Sequence, residues 1–123
     1  MYKQYTMEQK VPIITKLDIN RIINRDFPPN KLDEIDGILK LYKSDGDNGG
    51  YRIYASIFKL SDGNIMSLKK YVGMANNDFR DIISMAEYPN YSEHAFEDDL
   101  SMEMEKQLIT NDWTQYESWL NRA

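Results

Sequence analysis

Between Tyr51 and Phe79 the apolar residues keep the period of an α-helix on both sides of an Asp62-Gly63-Asn64 break. Ile53, Tyr54, Ile57 and Phe58 recur at i, i+1, i+4 and i+5, and Ile65, Leu68, Val72, Ala75 and Phe79 follow at three- and four-residue steps. The first of these runs is also rich in strand-favouring residues, and Asp-Gly is a hairpin signal, so a β-hairpin competes. Strict alternation fails, however, because Phe58 and Leu60 would lie on the face opposite Ile53 and Ile57. Separate helices over 51–60 and 65–76 satisfy both halves, with Gly63 as the stop of one and Asn64 as the cap of the next. Ile57, Leu68, Val72, Ile82 and Ile83 are then expected in the core.

The flanks repeat this grammar. Thr15 and Asp18 form a capping box with Asp in the place of Glu, ahead of Leu17, Ile19, Ile22, Ile23 and Phe27. Pro28-Pro29 ends that helix, since the residue before a proline avoids helical backbone. Asn30 is placed to cap a second helix carrying Leu32, Ile35, Ile38, Leu39 and Tyr42, with Asp33 and Glu34 at its positive end. Ser44-Asp-Gly-Asp-Asn-Gly-Gly50 reads as a flexible loop. Asp78 caps a stripe of Phe79, Ile82, Ile83 and Ala86, which Tyr88-Pro89-Asn90-Tyr91 closes as a turn. Leu100, Met104 and Leu108 resume helical spacing, Asn111-Asp112 interrupts it, and Trp113, Tyr116 and Leu120 form a last stripe. The expected fold is all-α: one compact bundle of about six short helices spanning residues 1–123, with 1–12 as a loose N-terminal arm.

Composition closes off several classes. An apolar share of 41%, a charged share of 28% and a net charge of −5 suit a folded globular domain. The chain has no cysteine, which rules out disulfides, thiolate zinc sites, iron–sulfur clusters and cysteine nucleophiles. A pI near 4.8 argues against general nucleic-acid affinity, which needs clustered Lys and Arg, although Lys69-Lys70 makes a small basic spot. No stretch approaches the roughly 20 apolar residues that span a bilayer. The first ten residues hold no apolar signal core, so the expected setting is cytoplasmic, without a membrane.

Three segments, Ile57-Phe-Lys-Leu-Ser-Asp-Gly-Asn64, Asp78-Phe-Arg-Asp-Ile-Ile83 and Ala86-Glu-Tyr-Pro89, carry a recognisable pattern, with Leu68 and Ala75 between them. The stretch from Arg52 to Pro89 resembles a family of small, uncharacterised bacterial helical proteins. Phe79 stands where that family has Tyr. The resemblance implies helices and a bacterial origin. It implies no activity, cofactor or catalytic residue, because the family has none established. Small acidic bacterial proteins of this kind often belong to immunity or accessory families, an analogy rather than a derivation.

Each polar cluster has a modest explanation beside a chemical one. His94, the single histidine, has carboxylates nearby but no nucleophile, and reads as a surface residue. Asp45-Gly-Asp-Asn-Gly-Gly50 begins like a calcium loop, but Gly49 and Ser56 stand at ligand positions 5 and 12. Asp78 and Asp81 could share a proton or a metal, yet capping and a salt bridge to Arg80 account for them. No metal site, cofactor or catalytic residue is therefore expected.

The aromatic and acidic residues of the C-terminal third point to binding instead. Tyr88 and Tyr91, the acidic Glu97, Asp98 and Asp99, and Trp113 and Trp119 are the candidate partner-binding residues. Neither Met102 and Met104, nor Trp113 and Trp119 with Tyr116, fit one narrow helical stripe, so one tryptophan is expected at the surface. The leading expectation is a non-catalytic protein-binding domain, of the immunity or accessory kind, that masks a basic partner. The alternative is a small enzyme using carboxylates around Asp78, Asp81 and Glu87. A clustered apolar–acidic face favours the first, and a deep pocket with converging carboxylates the second.

Overall fold

The structure, a computed structural model, describes residues 10–43, 50–94 and 100–123. Six α-helices make up most of them: α1 (Lys16–Asp26), α2 (Leu32–Leu39), α3 (Gly50–Ser61), α4 (Ile65–Glu87), α5 (Pro89–His94) and α6 (Met102–Leu120). No strand occurs among the described residues, so the helical reading of 51–76 holds over the hairpin. The loop 44–49, with Asp45 and Asp47, and the first nine residues of the arm lie outside the described residues.

The central pair is α3 against α4, and the other helices wrap it. Ile57, Phe58, Leu68 and Ile82 are fully buried, and Val72 and Ile83 nearly so. Phe27, from the end of α1, meets Phe58 edge-on at 6.0 Å. The turn between α3 and α4 is built as its sequence demands. Asp62 (φ 50°) and Gly63 (φ 75°) both adopt left-handed backbone, and Asn64 then accepts the Ser67 N–H at 2.9 Å to start α4. Gly63 is fixed twice over, because a Cβ there would lie 3.0 Å from the backbone carbonyl oxygen of Asp26.

Two other caps follow expectation. Asp18 N–H donates to Thr15 Oγ1 at 3.2 Å, and Thr15 N–H to Asp18 Oδ2 at 2.9 Å, so Asp completes the capping box in place of Glu. Asp78 leaves helical geometry inside α4 (φ −157°, ψ 101°) and accepts the Arg80 N–H at 3.0 Å. It therefore caps a second segment within α4. The α2 end is latched by Asn76, which accepts from Lys43 N–H at 2.8 Å and donates to the Leu41 carbonyl at 2.9 Å.

Five expectations fail, each for a local reason. Leu17 is 79% exposed, because two residues place it about 200° around α1 from the buried Ile19. Leu32 is exposed at the first turn of α2. Asn30 does not cap α2; Pro29–Lys31 form a 3-10 turn after Pro28, and Lys31 flanks the helix with no side-chain cap. Phe79 is 43% exposed, since the break at Asp78 throws it out of phase with Ala75. Tyr88-Pro89-Asn90-Tyr91 is not a turn but opens α5, with Pro89 at the first helical position, where its missing N–H costs nothing.

The break expected at Asn111-Asp112 is absent as well. α6 runs through it, because Asp112 is buried and its carboxylate accepts from the backbone N–H of Asn90 and Tyr91 (3.1 and 2.8 Å) and from the Asn90 side chain (2.9 Å). A residue that would cap its own chain caps the neighbouring α5 instead.

Candidate functional site

Along α3, Arg52, Ser56 and Lys59 fall at steps of four and three, and so share one helix face. This polar seam faces the end of α4 and the middle of α6. Arg52 holds Glu87 in a two-pronged pair, Nε to Oε2 and Nη2 to Oε1, both at 2.7 Å. Glu87 is buried, and its hydrogen bonds to Arg52 push the guanidinium further towards its charged form. Burial pulls the Lys59 ammonium below the ordinary lysine range, opposed by the charge of Asp112. Tyr116 is 1% exposed, and burial, reinforced by Glu87, raises its hydroxyl well above the usual tyrosine pKa. Among the described residues neither the Tyr116 nor the Ser56 hydroxyl has a hydrogen-bond partner.

The seam opens into a small depression between Glu87, Tyr88, Ile109, Asp112, Trp113 and Tyr116, which Lys10 and Pro12 close from outside. Its volume is about 10 Å³, the threshold for one water molecule. Two carboxylates thus converge, but both are already engaged, Glu87 by Arg52 and Asp112 by the start of α5.

The carboxylates of the catalytic alternative do not come together. Asp78 and Glu87 stand at opposite ends of the second α4 segment, roughly 13 Å apart by helical rise. Asp78 is tied to Arg80 at 3.1 Å, and that hydrogen bond holds its carboxyl below the usual range. Asp81 is exposed. Among the described residues no three His, Asp or Glu side chains gather at a metal-binding spacing.

The binding candidates divide. α6 carries a row of three rings: Trp113 stacks on Tyr116 (6.5 Å, 21° between planes), and Tyr116 meets Trp119 at 5.6 Å. Steps of three residues turn each ring about 60° from the last, so the row runs from the half-buried Trp113 across the fully buried Tyr116 to the buried Trp119. Trp119 is the inner ring, 9% exposed, with the Arg25 guanidinium 5.3 Å from its centroid. It supports the core and offers no surface anchor. Trp113 is the outer, half-buried ring, and Lys10 Nζ sits 5.4 Å from its centroid. Tyr88 and Tyr91, both half-buried, meet edge-on at 6.4 Å. Glu97, Asp98 and Asp99 lie outside the described residues.

A second surface feature brings together residues that sequence spacing treats separately, with Gln107, which it does not single out. His94, Met104, Gln107 and Leu108 line a shallow, mainly apolar depression of about 210 Å³ between α5 and α6. Met102 and Met104 are 53% and 54% exposed. Met104 and Trp113, nine positions apart, lie about 180° around the helix. They edge the two sides of one exposed ridge, made by Glu103, Lys106, Thr110, Thr114 and Glu117. The signal for this in the sequence was the low-contrast pattern of α6, with methionines at positions that a buried stripe leaves out. Elsewhere, a groove of about 380 Å³ between α1 and α2 is lined by Asn20, Asn24, Ile35 and Asp36 among others; it gathers no cluster of acids or bases.

No family model, curated protein or solved structure matches the chain. Among the described residues no helix is long and apolar enough to cross a membrane.

Proposed function

We propose that this chain is a non-catalytic, cytoplasmic protein-binding domain of the bacterial immunity or accessory kind, and that it masks a basic partner with the exposed ridge of α6. The observation that carries this reading is the pairing of exposed apolar groups with acidic charge on one helix. Met102 and Met104 stand more than half exposed beside Glu103, and the half-buried Trp113 edges the far side. Flexible thioethers and a rigid aromatic are the side chains that supply affinity in interfaces. Acidic groups around them accelerate encounter with a basic surface. We favour the binding reading over the catalytic one because the carboxylates named for catalysis are separated and the convergent pair, Glu87 and Asp112, surrounds room for a single water.

The test is an affinity capture from the native cell, followed by binding kinetics on variants. Reversing Glu97, Asp98 and Asp99 to Lys should slow association and flatten its salt dependence. Trp113→Ala should instead speed dissociation, by the roughly 2 kcal/mol or more typical of an interface hot spot. Met104→Glu should weaken binding without altering the fold. If a captured partner binds all three variants as it binds the parent, the α6 ridge is not the interface and the reading fails.

A further inference from the structure

The three-ring row of α6 carries a cation at each end, and the two cations are held very differently. At the inner end Arg25 lies over Trp119 and is fixed by the carbonyls of Trp119 and Arg122 (2.9 and 3.0 Å) and by Asp26 (2.8 Å). That guanidinium closes the C-terminal end of α6, a structural role. At the outer end Lys10 lies over Trp113, and among the described residues no hydrogen bond or ion pair holds its ammonium. Lys10 is exposed, while Pro12, two residues on, is buried and seats the segment.

We propose that the outer face of Trp113 is a binding site for a lysine ammonium, that Lys10 fills it as an internal stand-in, and that a lysine of the basic partner displaces Lys10. This rests on the protein-binding reading above and names the group that the ridge receives. Three features fit a cation there. The ring is rigid, backed by Tyr116 and through it by the core, so little freedom is lost on binding. An ammonium at 5.4 Å from the centroid is within the roughly 6 Å over which a ring face attracts a cation. The depression beneath holds Glu87 and Asp112, and the buried Tyr116, whose hydroxyl has no partner among the described residues, lines it too. Arg52 answers Glu87 and Lys59 faces Asp112, so the carboxylates bring no large net charge. The attraction therefore comes from the ring face, and lysine is assigned as the occupant because the cation the ring already carries is the ammonium of Lys10.

The experiment titrates a capped Gly-Lys-Gly-Lys-Gly peptide against the full chain, following the Trp113 indole N–H by NMR. Lys10→Ala, which removes the stand-in, should bind the peptide about two- to five-fold more tightly than the parent, the range expected for an exposed cation–ring contact. Trp113→Leu in the Lys10→Ala background, with peptide contacts then followed by calorimetry and folding checked by circular dichroism, should lose this gain. Trp113→Phe should retain part of it. Equal affinity of Lys10→Ala and the parent overturns the proposal. So does undiminished binding by folded Trp113→Leu, or binding of the matching arginine peptide at least as tightly as the lysine one. Those failures leave the wider reading intact, because Met104→Glu tests the ridge against the whole partner without involving Lys10 or Trp113.

Discussion

Changing Arg52 to Met strands a carboxylate. The Glu87 side chain is 4% exposed, and both its oxygens depend on Arg52 at 2.7 Å. Removing one partner of a buried pair costs about 3–5 kcal/mol, because the charge left behind is neither solvated nor paired. The converse change, Glu87→Gln, leaves the Arg52 guanidinium, whose side chain is 27% exposed and can draw water. Its loss should be nearer the 1.5–3 kcal/mol of hydrogen bonds to a charged group. At roughly 4 °C per kcal/mol for a chain of this size, Arg52→Met should lower the melting temperature by about 12–20 °C and Glu87→Gln by about 6–12 °C.

The double change Arg52→Met/Glu87→Gln removes both charges together, so it should cost less than the sum of the two single changes, with a coupling of about 2 kcal/mol or more. Urea unfolding followed by circular dichroism, on the parent and the three variants, measures every corner of the cycle. Two results would refute the reasoning: Arg52→Met losing no more than Glu87→Gln, or the double variant losing the sum of the singles. Either would mean that Glu87 reaches solvent and that the seam is open rather than a clamp between α3 and α4.

Leu68→Ala, at a fully buried position of α4, should cost about 2–5 kcal/mol in a urea melt; a loss below about 0.5 kcal/mol would place that side chain at the surface. Gly63→Ala should destabilise by about 1–3 kcal/mol, because the new Cβ meets both a positive φ and the Asp26 carbonyl at 3.0 Å; an unchanged midpoint would show that the turn gives way freely. Asp26 has its pKa raised by burial but lowered by more through Arg25 and Arg122, so its folded value lies below the ordinary one. Its stabilising charge is therefore fully present above pH of about 4 and is lost as pH falls through the depressed folded value. Asp26→Asn should be less stable than the parent at neutral pH, and urea midpoints of the two should converge on acidification; a constant gap would contradict the linkage.

The helical fold was legible because its signals are local. The helical period, the caps at Thr15 and Asn64 and the Asp62-Gly63-Asn64 stop all act within one or two turns of chain, and the structure keeps them. One failure was decided by a distant segment, and the others by the phase of the local backbone. Asp112 looked like a helix breaker because its three donors sit more than twenty residues away, on α5. Phe79 looked buried because a spacing count runs on through Asp78, whereas the kink resets the phase of every later residue in α4. Asn30 looked like a cap because the two prolines were read only as a stop. In the structure they also shape the 3-10 turn that leads into α2.

The same distinction separates the two tryptophans. From sequence, Trp113 and Trp119 are equivalent: each lies three residues from Tyr116, about 60° to one side of it. Their fates are set by what packs from α1 and the N-terminal segment. Arg25 reaches across to the carbonyls ending α6 and covers Trp119, which buries that ring and fixes its role as core. Lys10 arrives at Trp113 from a segment anchored by one buried proline, and covers the ring with a side chain that nothing else among the described residues retains. Burial of a ring by a clamped group makes structure, whereas cover by a loosely held cation makes an exchangeable contact. That difference is why the proposed interface uses Trp113, the half-buried ring, and not Trp119, which the core and Arg25 hold.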